Sequence, residues 1–232
     1  MKKTISEELK KFLEEKGADI IGFANISTLK NAPMPYGICI GIKIPKNIII
    51  SIKNGPNKLY YDIYNTLNNK LDTIVKSAEF FLKEKGFAAY AQTTSVIKKD
   101  KYNRTPFPHK TVAVHSGIGW IGKSSLLVTE QYGSAVRISS LFTNAPLECG
   151  KMIEPKCNNC QLCQIFCPAD AILGKIWSEK IDRDELLDSY KCRNKMLEIS
   201  KKNFKIEAAI CGKCIFICPY TQRYIKQAVQ FK

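Results

Sequence analysis

Residues 157–168 read C-N-N-C-Q-L-C-Q-I-F-C-P. Cys157, Cys160, Cys163 and Cys167, followed by Pro168, form C-x2-C-x2-C-x3-C-P, the ligand spacing of half of a bacterial two-cluster iron-sulfur protein. Three thiolates at successive x2 gaps wrap one face of a 4Fe-4S cubane, and the turn after the third sends the fourth toward a second cluster. A complementary half follows. Residues 211–219 read C-G-K-C-I-F-I-C-P, and Cys192 stands 19 residues before Cys211. The reciprocal arrangement gives Cys157, Cys160, Cys163 and Cys218 to cluster one and Cys167, Cys192, Cys211 and Cys214 to cluster two. Eight thiolates are what two such clusters need, whereas a zinc ribbon needs four and leaves the rest idle. Cys39, inside an apolar run, and Cys149, without a partner at ligand spacing, read as ordinary thiols.

Composition agrees with a metal-binding role for these thiols. The chain has 232 residues, ten cysteines, 45% hydrophobic residues and a formal net charge of +15. That apolar content supports a buried core and excludes disorder. The most apolar stretch, residues 37–52, is interrupted by Lys43, Pro45, Lys46 and Asn47, so no membrane span is expected. The opening M-K-K-T-I-S-E-E-L-K-K-F-L-E-E-K-G lacks the apolar centre of a secretory signal. A cytoplasmic location follows, where structural disulfides are rare. The basic residues are 31 Lys and 5 Arg without long runs, unlike the clustered arginines of nucleic-acid readers. Two clusters at about −2 each bring the net charge to about +11, which still attracts an acidic partner such as a flavodoxin or ferredoxin.

Before Cys157 the chain alternates helical and strand patterns. A capping box from Thr4 to Glu7, then Ile5, Leu9, Phe12 and Leu13, predicts a helix ended by Gly17. Ile-rich residues 19–23 and 37–44 predict strands. Ile63, Tyr64, Leu67, Leu71, Ile74, Val75, Ala78 and Phe81 hold the 3.6-residue period of a long helix ended by Gly86. Residues 87–93 predict another strand. Residues 94–108, charged and ending in two prolines, predict a loop of the length that covers a site. A short helix after Pro108, closed by Gly117, and strands over 125–129 and 134–142 complete an α+β pattern. Two domains are expected, at 1–150 and 151–232.

Residues 117–123 read G-I-G-W-I-G-K. They fail as a P-loop, and as a dinucleotide fingerprint because the helix-like segment precedes and strand-like residues follow. The glycines fit a backbone that approaches something large and flat, with Trp120 offering a ring face.

The segments H-S-G-I-G-W-I-G-K-S-S-L-L-V and G-S-A-V-R-I-S-S-L-F-T-N-A-P-L, the opening K-G-A-D-I-I-G-F-A and the two-cluster cysteines together resemble the epoxyqueuosine reductase family, cobalamin-dependent iron-sulfur reductases related to reductive dehalogenases. The resemblance implies a nitroreductase-like, cobalamin-binding α/β domain followed by a ferredoxin-like domain with two 4Fe-4S clusters. It implies that Gly117, Gly119, Trp120, Gly122 and Lys123 lie against the corrin, with Gly133, Ser134 and Thr143 nearby, and that cobalt has no protein ligand. His109 and His115 sit outside any corrinoid-ligand motif. Two departures stand out. The family's proton-donating Asp position, 17 residues before Trp120, is Asn103, and an amide cannot deliver that proton. Adjacent Tyr102, or Asp100 by a slipped alignment, is then the candidate acid. The chain also runs only 14 residues past Cys218, a short form without the family's C-terminal helical-repeat domain.

The expected function is therefore an oxidoreductase in which clusters pass single electrons to bound cobalamin for reduction of an electrophilic small molecule. Two alternatives stay open: an electron-transfer or corrinoid-activating protein without its own substrate, and a true epoxyqueuosine reductase acting on tRNA.

Overall fold

In this computed structural model, which describes residues 3–227, the first helix is α1 (Ile5–Glu15). Thr4 caps it: its hydroxyl accepts from the Glu7 N–H while the Glu7 carboxylate accepts from the Thr4 N–H, satisfying two donors that the first turn leaves unpaired. Strands β1 (Ile20–Asn25) and β2 (Tyr36–Lys43) follow, then α2 (Lys46–Ser51), α3 (Lys58–Glu84) and β3 (Ala89–Gln92). Next come α4 (His109–His115), β4 (Trp120–Ile121), β5 (Leu127–Val128) and β6 (Val136–Thr143). The cysteine-rich part carries α5 (Leu162–Ile165), α6 (Ser189–Phe204), α7 (Lys213–Ile217) and α8 (Pro219–Lys226).

The chain divides into two compact units whose limits interleave. One comprises Met1–Lys43, Thr66–Trp120 and Arg137–Ile153; the other comprises Ile44–Asn65, Ile121–Val136 and Glu154–Lys232. A division near residue 150 is therefore not the one drawn by packing. Residues 44–65 and 121–136 leave the sheet and join the cysteine-rich part.

The first unit is built on a four-stranded sheet in the order β1-β2-β6-β3. β1 and β2 run antiparallel with Gly22 opposite Cys39, and β3 and β6 run antiparallel with Ala91 opposite Leu141. Ile38, Ile40 and Ile42 alternate along β2 onto the face covered by α1 and α3. Leu71, Ile74, Val75, Ala78 and Leu82 of α3 meet them at helical spacing, and Leu9 and Leu13 of α1 complete the core. Phe12 stacks on Phe81 at 4.7 Å. The opposite face is covered by α4, whose Val112, Ala113 and Val114 are buried. Gly22 makes this approach possible, since a Cβ there would lie 2.3 Å from the Ser116 hydroxyl.

Several local expectations shift. A further helix, α2, which the sequence reading did not predict, begins after Pro45 at its N-cap position, where the proline ends extended pairing. The strand over 125–129 shortens to β5 because Ser125, at φ +59°, turns the chain and donates to Gly122. β6 begins only at Val136, after a turn in which the Ala135 N–H bonds to the Tyr132 carbonyl. No helix among the described residues is long and apolar enough to cross a membrane.

Leu71 is 1% exposed in the centre of this core. Leu71→Ala should lower unfolding stability by about 3 kcal/mol. The check is a lower urea midpoint at unchanged slope.

Candidate functional site

The cysteine loops are set by backbone turns. Asn158, at φ +40°, follows Cys157 and lets the Cys160 N–H bond back to the Cys157 carbonyl at 2.9 Å. The one-turn helix α5 carries Cys163, and Cys167 leaves it with its N–H on Gln164. On the other half, Gly212 caps α7 at φ +78°; a Cβ there would meet Ile52 at 2.4 Å, so neither the angle nor the space admits a side chain. Cys218 precedes Pro219, whose fixed φ starts α8 without needing an N–H.

These turns bring several of the thiols close to one another. Cys157, Cys160, Cys163, Cys214 and Cys218 line one cavity together with Gly122, Lys123, Ser124 and Tyr220. Burial pushes the Cys163 thiol up to about 11, reinforced by Cys157, Cys218 and Cys160. Cys192 is likewise pushed up to about 11 by burial, then by Cys167 and Cys211. Cys214 is raised by burial first, then by Cys211, Cys192, Cys163 and Cys167, so it faces sulfurs of both expected sets. Desolvated, mutually repelling thiols favour the proton until a cation replaces it.

Main-chain donors oppose that burial. Burial raises Cys218, but the N–H groups of Thr221 and Tyr220 in the first turn of α8 act against it. Cys211 is raised by burial and lowered by the Lys213 N–H, and the Ala171 N–H points at the Cys167 sulfur at 3.5 Å. N–H donors to sulfur stabilise the thiolate form. Among the described residues no three His, Cys, Asp or Glu side chains converge on one metal ion. A cubane asks for something else: each thiolate binds its own iron, so the ligands enclose a volume. The thiols lining the cavity have the donor chemistry such a cluster takes.

The residues tied to cobalamin by resemblance are placed differently. Gly119, Trp120, Gly122, Lys123, Gly133, Ser134 and Thr143 are buried, and Trp120 and Thr143 are 0% exposed. The Thr143 hydroxyl donates to the Ala88 carbonyl at 2.7 Å and accepts from the Ala145 N–H. At Gly117 a Cβ would strike the Lys151 carbonyl at 2.3 Å, and at Gly133 the Thr221 N–H at 2.2 Å, so neighbouring backbone accounts for both glycines. The Ser134 hydroxyl is buried without a hydrogen-bond partner among the described residues. As placed, this set does not present an open face to a corrin.

In the loop over 94–108, the Asp100 carboxylate accepts from the N–H groups of Tyr102 and Arg104, both at 2.8 Å. Asn103 occupies the left-handed region at φ +58° and donates to the Asp100 carbonyl. Asp100 thus holds the turn together. Tyr102 is 50% exposed, with the Lys101 ammonium 5.1 Å from its ring centre. Cys39 is buried, and burial alone drives its thiol far above the ordinary range, while Cys149 bonds the Leu147 carbonyl.

Sequence patterns did not reveal the polar chain beneath this loop. His109 Nδ1 lies 2.7 Å from the Ser140 hydroxyl, which donates to Gln92 Oε1 at 2.9 Å, and Gln92 Nε2 donates to the Phe107 carbonyl at 2.8 Å. Because Ser140 directs its hydrogen to Gln92, His109 Nδ1 is the donor of their bond. Residues 48, 31 and 15 positions apart are hydrogen-bonded in this network, and no motif spacing signals that.

No family profile matches this chain. An epoxyqueuosine reductase of Lactococcus garvieae is 26% identical over 163 residues, 69% of this chain and 42% of that protein. The Listeria monocytogenes epoxyqueuosine reductase is 32% identical over 113 residues, 48% of this chain and 29% of that protein. A selenomethionine-labelled epoxyqueuosine reductase structure superposes with a TM-score of 0.63 at 21% identity, over 93% of this chain and 65% of that one. A catabolic reductive dehalogenase reaches 0.71 at 16% identity, over 93% of this chain and 31% of that one. The fold is thus the mixed helix-and-sheet fold shared by epoxyqueuosine reductases and reductive dehalogenases. The chain is similar in sequence to epoxyqueuosine reductases, and it spans less than half the length of the curated relatives it matches.

Burial first, and then Arg137, hold the His109 imidazole down to about 4, against a smaller upward pull from Asp72. Between that value and about 6.5 the unfolded chain binds the extra proton, so His109 contributes stability above 6.5 that is lost as pH falls toward 4. The stability advantage of wild type over His109→Asn should shrink by roughly 1–2 kcal/mol from pH 7 to pH 5, read from urea midpoints.

Proposed function

We propose that this chain is a cobalamin-linked iron-sulfur reductase of the epoxyqueuosine reductase type, with Cys157, Cys160, Cys163 and Cys218 holding one 4Fe-4S cluster and Cys167, Cys192, Cys211 and Cys214 a second. The observation that supports this reading is a cavity lined by Cys157, Cys160, Cys163, Cys214 and Cys218, together with the upward push that burial and neighbouring sulfurs give Cys163, Cys192 and Cys214. When bound, the clusters supply one-electron transfer. The chain's residues do the rest: eight thiolates ligate, N–H groups of Ala171, Lys213, Tyr220 and Thr221 stabilise them, and burial keeps water away. Ten thiols suit the cytosol, and the net charge of +15 suits an acidic donor such as a flavodoxin or ferredoxin.

The cobalamin link is taken from the relatives. The residues matched to corrin contacts do not fit that role as placed. For the proton, Tyr102 is the stronger candidate than Asp100, since the Asp100 carboxylate accepts two N–H groups of its own turn. A solved relative is described with an epoxyqueuosine-modified tRNA stem loop, which makes that stem loop the natural probe substrate here. A second reading, an electron carrier or corrinoid activator without its own substrate, is favoured by the complete burial of Trp120 and Thr143.

Anaerobically reconstituted protein should carry about eight irons and eight sulfides per chain. Cys163→Ala should lose about half of them, and Cys39→Ala none; four irons in the fully loaded wild type would overturn the assignment. Added cobalamin that changes neither the absorption spectrum nor comigrates with the protein would leave the electron-carrier reading standing. Where the stem loop is reduced, Tyr102→Phe should slow turnover about 100-fold with both clusters retained; full activity would make Tyr102 a packing residue.

A further inference from the structure

Lys123 is 7% exposed, an unusual setting for an ammonium group. Its Nζ donates to the Cys160 carbonyl at 3.0 Å, and among the described residues no carboxylate pairs with it. It lines the cavity of Cys157, Cys160, Cys163 and Cys218. The other lysine on that wall, Lys156, is paired with Glu130. Gly122 brings this segment close: a Cβ there would stand 3.6 Å from the Cys157 sulfur, so the main chain is within touching distance of a ligand.

A buried cation hydrogen-bonded only to a carbonyl is costly unless a negative charge lies nearby. The cavity provides one once loaded, because a cubane with four thiolates carries about −2, and about −3 after reduction. The geometry points to Lys123 as the buried counter-charge of cluster one, a positioning residue that raises that cluster's reduction potential. This rests on the two-cluster reading above. A fixed positive charge favours the more negative, reduced state, so removing it makes reduction harder. The redox step is a single electron added to the cluster core from an external low-potential one-electron reductant, with no bond made or broken and no proton moved.

The test is a dithionite titration of the fully reconstituted chain, with mediators, followed by electron paramagnetic resonance. Wild type, Lys123→Met and Lys123→Arg are compared, and Cys192→Ser, which perturbs cluster two, assigns the signals. In Lys123→Met the cluster-one ratio of reduced to oxidised at a fixed potential should fall about tenfold, or ~59 mV, while cluster two stays put. Lys123→Arg should restore most of it. If Lys123→Met fails to load cluster one but Lys123→Arg loads it, the charge requirement is upheld. Unchanged potentials in Lys123→Met, or loss of cluster one in both variants, would overturn the proposal. Failure of the wild type itself to carry two clusters would instead sink the cluster reading, and iron analysis distinguishes the two cases.

Discussion

Sulfur crowding is the constraint on which the second unit depends. Cys163, Cys192 and Cys214 are drawn out of water beside other sulfurs, and burial first and then those neighbours make them harder to ionise. Without compensation that arrangement is unfavourable, and the surrounding chain is organised to offset it. Main-chain N–H groups point at three of the sulfurs, and a buried ammonium stands on the wall of one cavity. A left-handed Gly212 and a proline after Cys218 let the ligands turn inward from very short helices.

Elements whose signal is local could be read directly. The capping box of α1, the 27-residue α3 with its apolar stripe and the Ile-rich β1 and β2 all stand where residue spacing puts them. The cysteine spacing is equally local as a signal, since ligand spacing is dictated by cluster size. What escaped was non-local. Nothing in residues 44–65 announces that they pack with the cysteine-rich part, because their apolar pattern serves equally well against a sheet. Likewise Gly117 and Gly133 read as room for a ligand when the close neighbour is another stretch of backbone. A glycine reports that something comes near, and its identity depends on chain distant in sequence.

The loop over 94–108 teaches a related lesson. Its charged residues suggested an active-site lining, yet the Asp100 carboxylate is occupied by its own turn. Below it lies the Gln92–Ser140–His109 chain, in which His109 Nδ1 donates to Ser140, Ser140 to Gln92 and Gln92 to the Phe107 carbonyl, and burial keeps the imidazole neutral. Fully connected polar networks of this kind are rigid, since any partial rupture strands a buried group.

The contacts of residues 44–65 also bear on modularity. Lys213 bonds the Lys53 carbonyl, Asn203 the Pro56 carbonyl and Tyr224 the Ile44 carbonyl, while Ile52 fills the space beside Gly212. The cysteine-rich part is thus braced by residues encoded some 150 positions earlier. A peptide cut to the span of the cysteines would keep every ligand and lose its scaffold. Gene fusions that shuffle iron-sulfur modules by simple end-to-end joining could not have moved this one intact; it travels only with the excursion that supports it.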